Sequence, residues 1–215
     1  DSMIISAMPS LNIESEQDRF EIAKMFAEKD GGYINEVIEK FNITDPEKLY
    51  EIACAAASSG LWEINETIDK YNVVDRDRQL NLAKLCAAKQ ENLVLQLIKF
   101  FKIQEADSIY ELFEIAARSE SNIIESLTKI DIFTPEQIYG LILINSFYAS
   151  TIYEEKQLCQ FSLTSEMKET LSKISDFINH VSKEKSNYGL ISINSPLINL
   201  LFSVAQPLYH DAQLS

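Results

Sequence analysis

The sequence predicts an all-α protein, an α-solenoid of about five 30-residue helical hairpins followed by a helical C-terminal cap. Three observations carry this prediction. Phe20-Glu21-Ile22-Ala23, Tyr50-Glu51-Ile52-Ala53 and Leu80-Asn81-Leu82-Ala83 recur at a step of 30 residues, and the same step links Ile13, Ile43, Val73 and Ile103. Within each unit the apolar residues keep the i, i+3, i+4, i+7 spacing of amphipathic helices. A residue able to accept the free N–H groups of a helix start stands two positions after most unit starts, as Ser15, Asp45, Asp75 and Thr134. One hairpin of this size cannot bury both of its apolar stripes, so it must stack on its neighbours.

Residues 1–12 read as an N-terminal extension in which Asp1-Ser2-Met3 resembles a tag remnant. Ile4-Ile5-Ser6-Ala7 is too short for the apolar core of a signal peptide. The array then occupies residues 13–147. Pro46 and Pro135 fill the first helical position, where a missing N–H costs nothing, and Gln137 completes a capping box with Thr134. The fourth unit has Glu105 at the cap position, so its first helix is expected to start late, at Asp107 or Ser108. In the first helix of each unit (helix A), Leu49, Ile52, Ala53 and Ala56 exemplify the apolar stripe. In the second (helix B) it is formed by Ile34, Val37, Ile38 and Phe41, by Ile64, Thr67, Ile68 and Tyr71, by Val94, Leu97, Ile98 and Phe101, and by Ile123, Leu127 and Ile130. Alanines and Cys54 crowd the middle of helix A, which lets neighbouring backbones approach closely. Gly31-Gly32 and Gly60 fall where the turns between helices belong.

Beyond Phe147 the period fades, and residues 148–215 read as the cap or a small second domain. A helix is expected from Ser165 with the stripe Met167, Leu171, Ile174, Ile178 and Val181, then a polar loop over Ser182–Asn187. A last helix is expected between Ser195-Pro196 and Pro207. It is apolar nearly all round from Leu197 to Ala205, so it belongs in its own core or in self-association with a second copy.

The composition excludes several functions. There are 33 Asp and Glu against 19 Lys and Arg, a net charge of −14, so a nucleic-acid partner is not expected without a basic patch, and none appears. The 46% hydrophobic content rules out a disordered acidic tail. The longest apolar stretch, Leu197–Ala205, is about half of the roughly 20 residues a membrane span needs. Cys54, Cys86 and Cys159 lack metal-ligand spacing and predict reduced thiols in a cytoplasmic setting. His180 and His210 stand alone, five glycines form no phosphate loop, and no signature joins Cys159 to His180. No catalytic residue, metal ligand or cofactor is therefore expected, and a binding protein is favoured over an enzyme.

Contact residues can be sought in the columns of the repeat. On helix B, Asn35, Asn65, Leu95 and Ile124 make one apparently outward column and Lys40, Lys70, Phe100 and Lys129 another, so Leu95, Phe100 and Ile124 are apolar where their equivalents are polar. Exposed apolar clusters mark partner sites. Trp62 lies in a turn column with Gly32, Asn92 and Ser121, where no core demands it, and Trp is enriched among interface hot spots. Tyr50, Tyr110 and Tyr139 align with Phe20 and Leu80 as an aromatic ladder, read mainly as a packing seam; with acidic neighbours, Tyr50 and Tyr110 also suit a cationic peptide.

Residues 13 to about 147 resemble the short helix-turn-helix arrays of the ankyrin, tetratricopeptide and related families. Neither T-P-L-H-x-A nor the W-x-x-L-G-x-x-Y spacing is present, and the 30-residue step is shorter than either family's. The resemblance implies a protein–protein interaction scaffold. Pentatricopeptide arrays of similar length bind nucleic acid, which the acidity opposes. Degenerate arrays of this style, rich in Ile, Asn and Lys, also resemble bacterial effectors injected into host cells. That likeness implies a host-cytosol setting and, as the alternative function, an enzymatic activity in residues 148–215 or beyond.

Overall fold

In the computed structural model of the protein, residues 13–59, 68–89, 94–119, 123–148 and 155–188 are described. All regular structure among them is helical, as the periodicity requires, and they contain no strand. The chain divides into two compact units, Asp1–Ser121 and Asn122–Ser215. The sequence period thus runs on past the division, which falls between the two helices that the sequence assigns to the fourth repeat unit.

In the first unit, the A helices are α1 (Glu16–Lys29), α3 (Pro46–Ser58), α4 (Arg76–Ala87) and α6 (Ala106–Arg118). The B helices are shorter. α2 (Gly31–Val37) tightens into a 3-10 turn, Ile38–Phe41, a second such turn spans Ile68–Tyr71, and α5 covers Val94–Phe100. Three expected caps are made: Ser15 accepts from the Asp18 N–H at 3.3 Å, Asp45 from Glu47 at 2.9 Å and Asp75 from Arg78 at 2.9 Å. The fourth A helix does not start late. α6 begins in register at Ala106, with Glu105 in cap conformation but making no side-chain cap bond. Its carboxylate instead accepts from the Gln104 N–H and pairs with Arg76, so tertiary contacts replace the missing cap.

Successive A helices pack on one another in chain order, α1 on α3, α3 on α4 and α4 on α6. Ala27, Ala57, Ala87 and Ala117 form a buried small-residue column on these helices, each at most 2% exposed, of the kind that permits close helix approach. The B-helix stripe is equally buried at Ile34, Val37, Ile38 and Phe41 and at Val94, Leu97 and Phe101. Two arginines lock the far ends of the hairpins. Arg19 donates to the carbonyls of Phe41 at 2.8 Å, Ile13 at 2.9 Å and Glu14 at 2.8 Å. Arg76, from a different column, grips the carbonyls of Phe101 and Lys102. Gln79, the repeat equivalent of Arg19, keeps one of these bonds, to Val73 at 2.9 Å.

Each of these hairpins ends through a left-handed residue, Asn42 (φ 48°), Asn72 (φ 52°) and Lys102 (φ 51°), again 30 residues apart. Asn tolerates this backbone region, whereas a lysine there carries the Cβ strain of roughly 1 kcal/mol. Lys102→Gly is therefore expected to raise stability by roughly 0.5–1 kcal/mol. The check is a higher urea midpoint at unchanged slope.

The B-helix column read as outward is not outward at Asn35, which is 1% exposed and accepts from the Tyr71 hydroxyl at 2.6 Å. α2 packs on both α1 and α3, so a wider arc of it is buried than a one-sided amphipathic helix would show. Gly31 and Gly32 likewise belong to the first turn of α2, capped by Asp30, which accepts from the Tyr33 N–H at 2.9 Å.

The second unit contains α7 (Ile124–Leu127), α8 (Pro135–Tyr148), α9 (Glu155–Leu158) and α10 (Ser165–Tyr188). The capping box at α8 forms as read, with Gln137 N–H to Thr134 Oγ1 at 3.3 Å and Thr134 N–H to Gln137 Oε1 at 3.0 Å. Three consecutive residues of α8, Leu141, Ile142 and Leu143, are buried, and α8 and α9 both pack on α10. Thr164, not Ser165, caps α10 by accepting from the Met167 N–H at 3.2 Å. The polar loop expected over 182–187 is instead the last part of α10. Lys183, Glu184 and Lys185 are good helix formers, and no Gly or Pro intervenes before Gly189.

Candidate functional site

The repeat sets side chains of similar chemistry in columns along the outer side of the A helices, with Leu80 and Asn81 as departures. Phe20, Tyr50, Leu80 and Tyr110 form the aromatic column, buried at Phe20 and half-buried thereafter. Cations cover two of its rings. Lys24 and Lys48 lie 5.6 and 5.8 Å from the Phe20 centroid, and Arg78 lies 4.7 Å from that of Tyr50. Arg78 is held there by both carboxylate oxygens of Glu47, at 2.7 and 2.8 Å. The ladder is thus roofed by charge rather than closed as a dry seam. A second column, Met25, Ala55, Leu85 and Ile115, is apolar and at least partly exposed, with Met25 at 68%. Glu21, Glu51 and Glu111 form an exposed acidic column in which Asn81 is the exception.

Between these columns runs a ladder of contacts joining each A helix to the next at a sequence separation of 27 residues. Lys24 pairs with Glu51 at 2.9 Å and Lys84 with Glu111 at 2.7 Å. The middle rung has no ions: Cys54 replaces the lysine and Asn81 the glutamate, with 3.9 Å between Sγ and Nδ2. The Asn81 amide also donates to the Tyr50 hydroxyl at 2.9 Å. The lapse opens a notch of about 480 Å³ lined by Lys24, Glu28, Tyr50, Cys54, Asn81 and Leu85, among others. Burial pushes both the Tyr50 hydroxyl and the Cys54 thiol above their ordinary values, so at neutral pH they are uncharged hydrogen-bonding groups. Glu51 raises the Lys24 ammonium, keeping that rung fully ionised.

No family model matches the chain, and no curated protein or solved structure is significantly similar to it. Its likeness to known helical arrays therefore rests on the period and the paired helices alone.

The residues singled out from sequence are distributed unevenly. Tyr50 lies in the notch and Tyr110 is half-exposed on α6. Leu95 and Phe100 are partly exposed, but Phe100 stacks edge-to-face on buried Phe101, with centroids 5.0 Å apart, so it serves packing as well as surface. Phe100 also lines a second cavity of about 420 Å³ with Val74, Asn72, Arg76 and Lys102. Val74 is 83% exposed. Ile124, expected outside, is 4% exposed and so cannot serve as a surface contact in this conformation. Trp62, His210 and the Leu197–Ala205 segment lie outside the described residues, as does the side chain of His180. Cys159 is exposed. Among the described residues no group of three or more His, Cys, Asp or Glu could hold a metal ion, and no helix is long and apolar enough to cross a membrane.

The notch residues Cys54 and Asn81 and the apolar column were missed by the sequence reading, although a signal existed. The columns 24/54/84 and 51/81/111 read Lys/Cys/Lys and Glu/Asn/Glu in the bare sequence. That positions 27 apart face each other is set by how the A helices pack, which the sequence does not state.

Proposed function

We propose that this protein is an interaction module of the solenoid type, in which a segment of a partner protein lies along the outer side of α1, α3, α4 and α6. The observation that carries this reading is the register of the aromatic, apolar and acidic columns over four consecutive A helices. A surface that pairs aligned apolar residues with carboxylates suits a segment carrying both apolar anchors and basic side chains. The chain's net charge of −14 supports the same partner through long-range attraction. The chain-order packing of the A helices supports the stacked-hairpin arrangement.

The test is Met25→Glu combined with Leu85→Glu. Met25 is 68% exposed and Leu85 partly so, and the expected cost to stability is within roughly 0.5 kcal/mol per site. Capture of partner proteins, quantified by mass spectrometry, is expected to fall about tenfold or more. Glu39→Lys, on the exposed side of the 3-10 turn, is expected to leave the same partners bound. Equal capture by the parent and the Met25/Leu85 variant, both folded, would show that the contact surface lies elsewhere.

A further inference from the structure

We infer that the notch at Tyr50, Cys54 and Asn81 receives the charged end of a lysine or arginine side chain of the partner segment. This deepens the reading of the A-helix surface and rests on it.

Above and below the notch, the ladder positions hold Lys24–Glu51 and Lys84–Glu111 ion pairs, each closing the gap between adjacent A helices. At the middle rung the resident cation is missing, and in its place is the smaller Cys54. The space that a lysine side chain fills in the neighbouring rungs is open here, within a cavity of about 480 Å³. A guest side chain of the same shape and charge refills the lysine half of the rung, with Asn81 standing where the neighbouring rungs have a carboxylate.

The electrostatics point the same way. Two carboxylates, Glu28 and Glu51, and one ammonium, Lys24, line the notch, while Arg78 over the Tyr50 ring is paired with Glu47, so the balance at the notch is negative by one charge. An incoming anion would meet this excess of negative charge, whereas a cation is attracted by it. Neutral acceptors stand beside it. The Tyr50 oxygen and the Cys54 sulfur line the notch, and Asn81, which spends its amide N–H groups on them, keeps its carbonyl oxygen as an acceptor. Ala55 and Leu85 supply an apolar wall for the methylene stem, the division of labour that long basic side chains satisfy.

The experiment uses the full ¹⁵N-labelled chain and four small probes: n-butylammonium, n-butylguanidinium, 1-pentanol and pentanoate. The two cations are expected to shift the amide signals of Tyr50, Cys54, Asn81 and Leu85 saturably. Affinity should be about tenfold above that of the alcohol or the carboxylate and should weaken as salt rises. Comparing the two cations distinguishes a lysine from an arginine guest. Cys54→Lys with Asn81→Glu rebuilds the standard rung, so it is expected to fold normally and lose cation binding. Glu28→Gln alters only an exposed carboxylate and is expected to weaken the cations several-fold, which keeps the test decisive if the double variant misfolds. Equal affinity for pentanol and butylammonium, or undiminished cation binding by the rebuilt rung, overturns the assignment. In partner capture the two proposals separate. If the rebuilt rung captures partners normally while the Met25/Leu85 variant does not, the surface stands and the notch assignment falls. If butylammonium binds at the notch but the Met25/Leu85 variant captures normally, the surface reading falls and with it the partner.

Discussion

Phe41→Ala is expected to destabilise the first unit by about 3–5 kcal/mol, the cost of emptying a fully buried aromatic site. Phe41 is 0% exposed, and its ring packs edge-to-face on Phe26 with centroids 6.4 Å apart. It closes the 3-10 turn that ends the first hairpin, and its carbonyl accepts from Arg19 at 2.8 Å. The side chain therefore anchors the end of the B helix against α1. The equivalent residues one and two repeats on, Tyr71 and Phe101, are also buried, with exposures of 0% and 4%. Urea unfolding followed by far-UV circular dichroism measures the effect. Phe41→Leu should recover about half of the loss, because it keeps most of the buried volume. A loss under about 1 kcal/mol for Phe41→Ala would mean that the site collapses freely, contrary to the packing described.

Gly31→Ala is expected to cost about 1–3 kcal/mol through overpacking, although it adds a single methyl group and favours helix. The nitrogen of Gly31 donates to Ser59 Oγ at 3.0 Å, and Ser59 Oγ in turn donates to the Ala56 carbonyl at 2.8 Å. A Cβ at position 31 would stand 2.5 Å from Ser59 Oγ and closer still to the Ala56 carbonyl oxygen. The serine side chain can rotate away, but the carbonyl belongs to α3 and can move only with the helix. Ser59→Ala in the Gly31→Ala background should therefore recover little of the stability. Recovery to the parent's thermal midpoint would show that the serine, and not the backbone approach, made glycine necessary. Position 31 needs its glycine for this contact between consecutive hairpins.

Much of the fold was legible because a repeat multiplies weak signals. The caps at Ser15, Asp45, Asp75 and Thr134 and the stripe from Ile34 to Phe41 depend on local hydrogen bonding and helical spacing, which sequence states directly. Two departures share one cause, contacts between residues distant in sequence. The helix start at Ala106 is supported by a carboxylate engaged with Arg76, 29 residues away in sequence. Asn35 is buried because its helix packs on two A helices, and Tyr71 reaches it from the next hairpin. The stretch 182–187 is helical for a local reason: Lys183, Glu184 and Lys185 favour helix and no Gly or Pro interrupts it, so polar composition alone does not mark a loop.

The candidate site divides along the same line. Sequence alone determined the helical class, the 30-residue period, the acidity and the identity of each column, since these depend on side-chain chemistry and on spacing along one helix. Only the tertiary structure decided which columns meet. The pairing of Lys24 with Glu51, and hence the gap where Cys54 meets Asn81, follows from how far each A helix is offset when it packs on the next. That offset is set by contacts between residues distant in sequence.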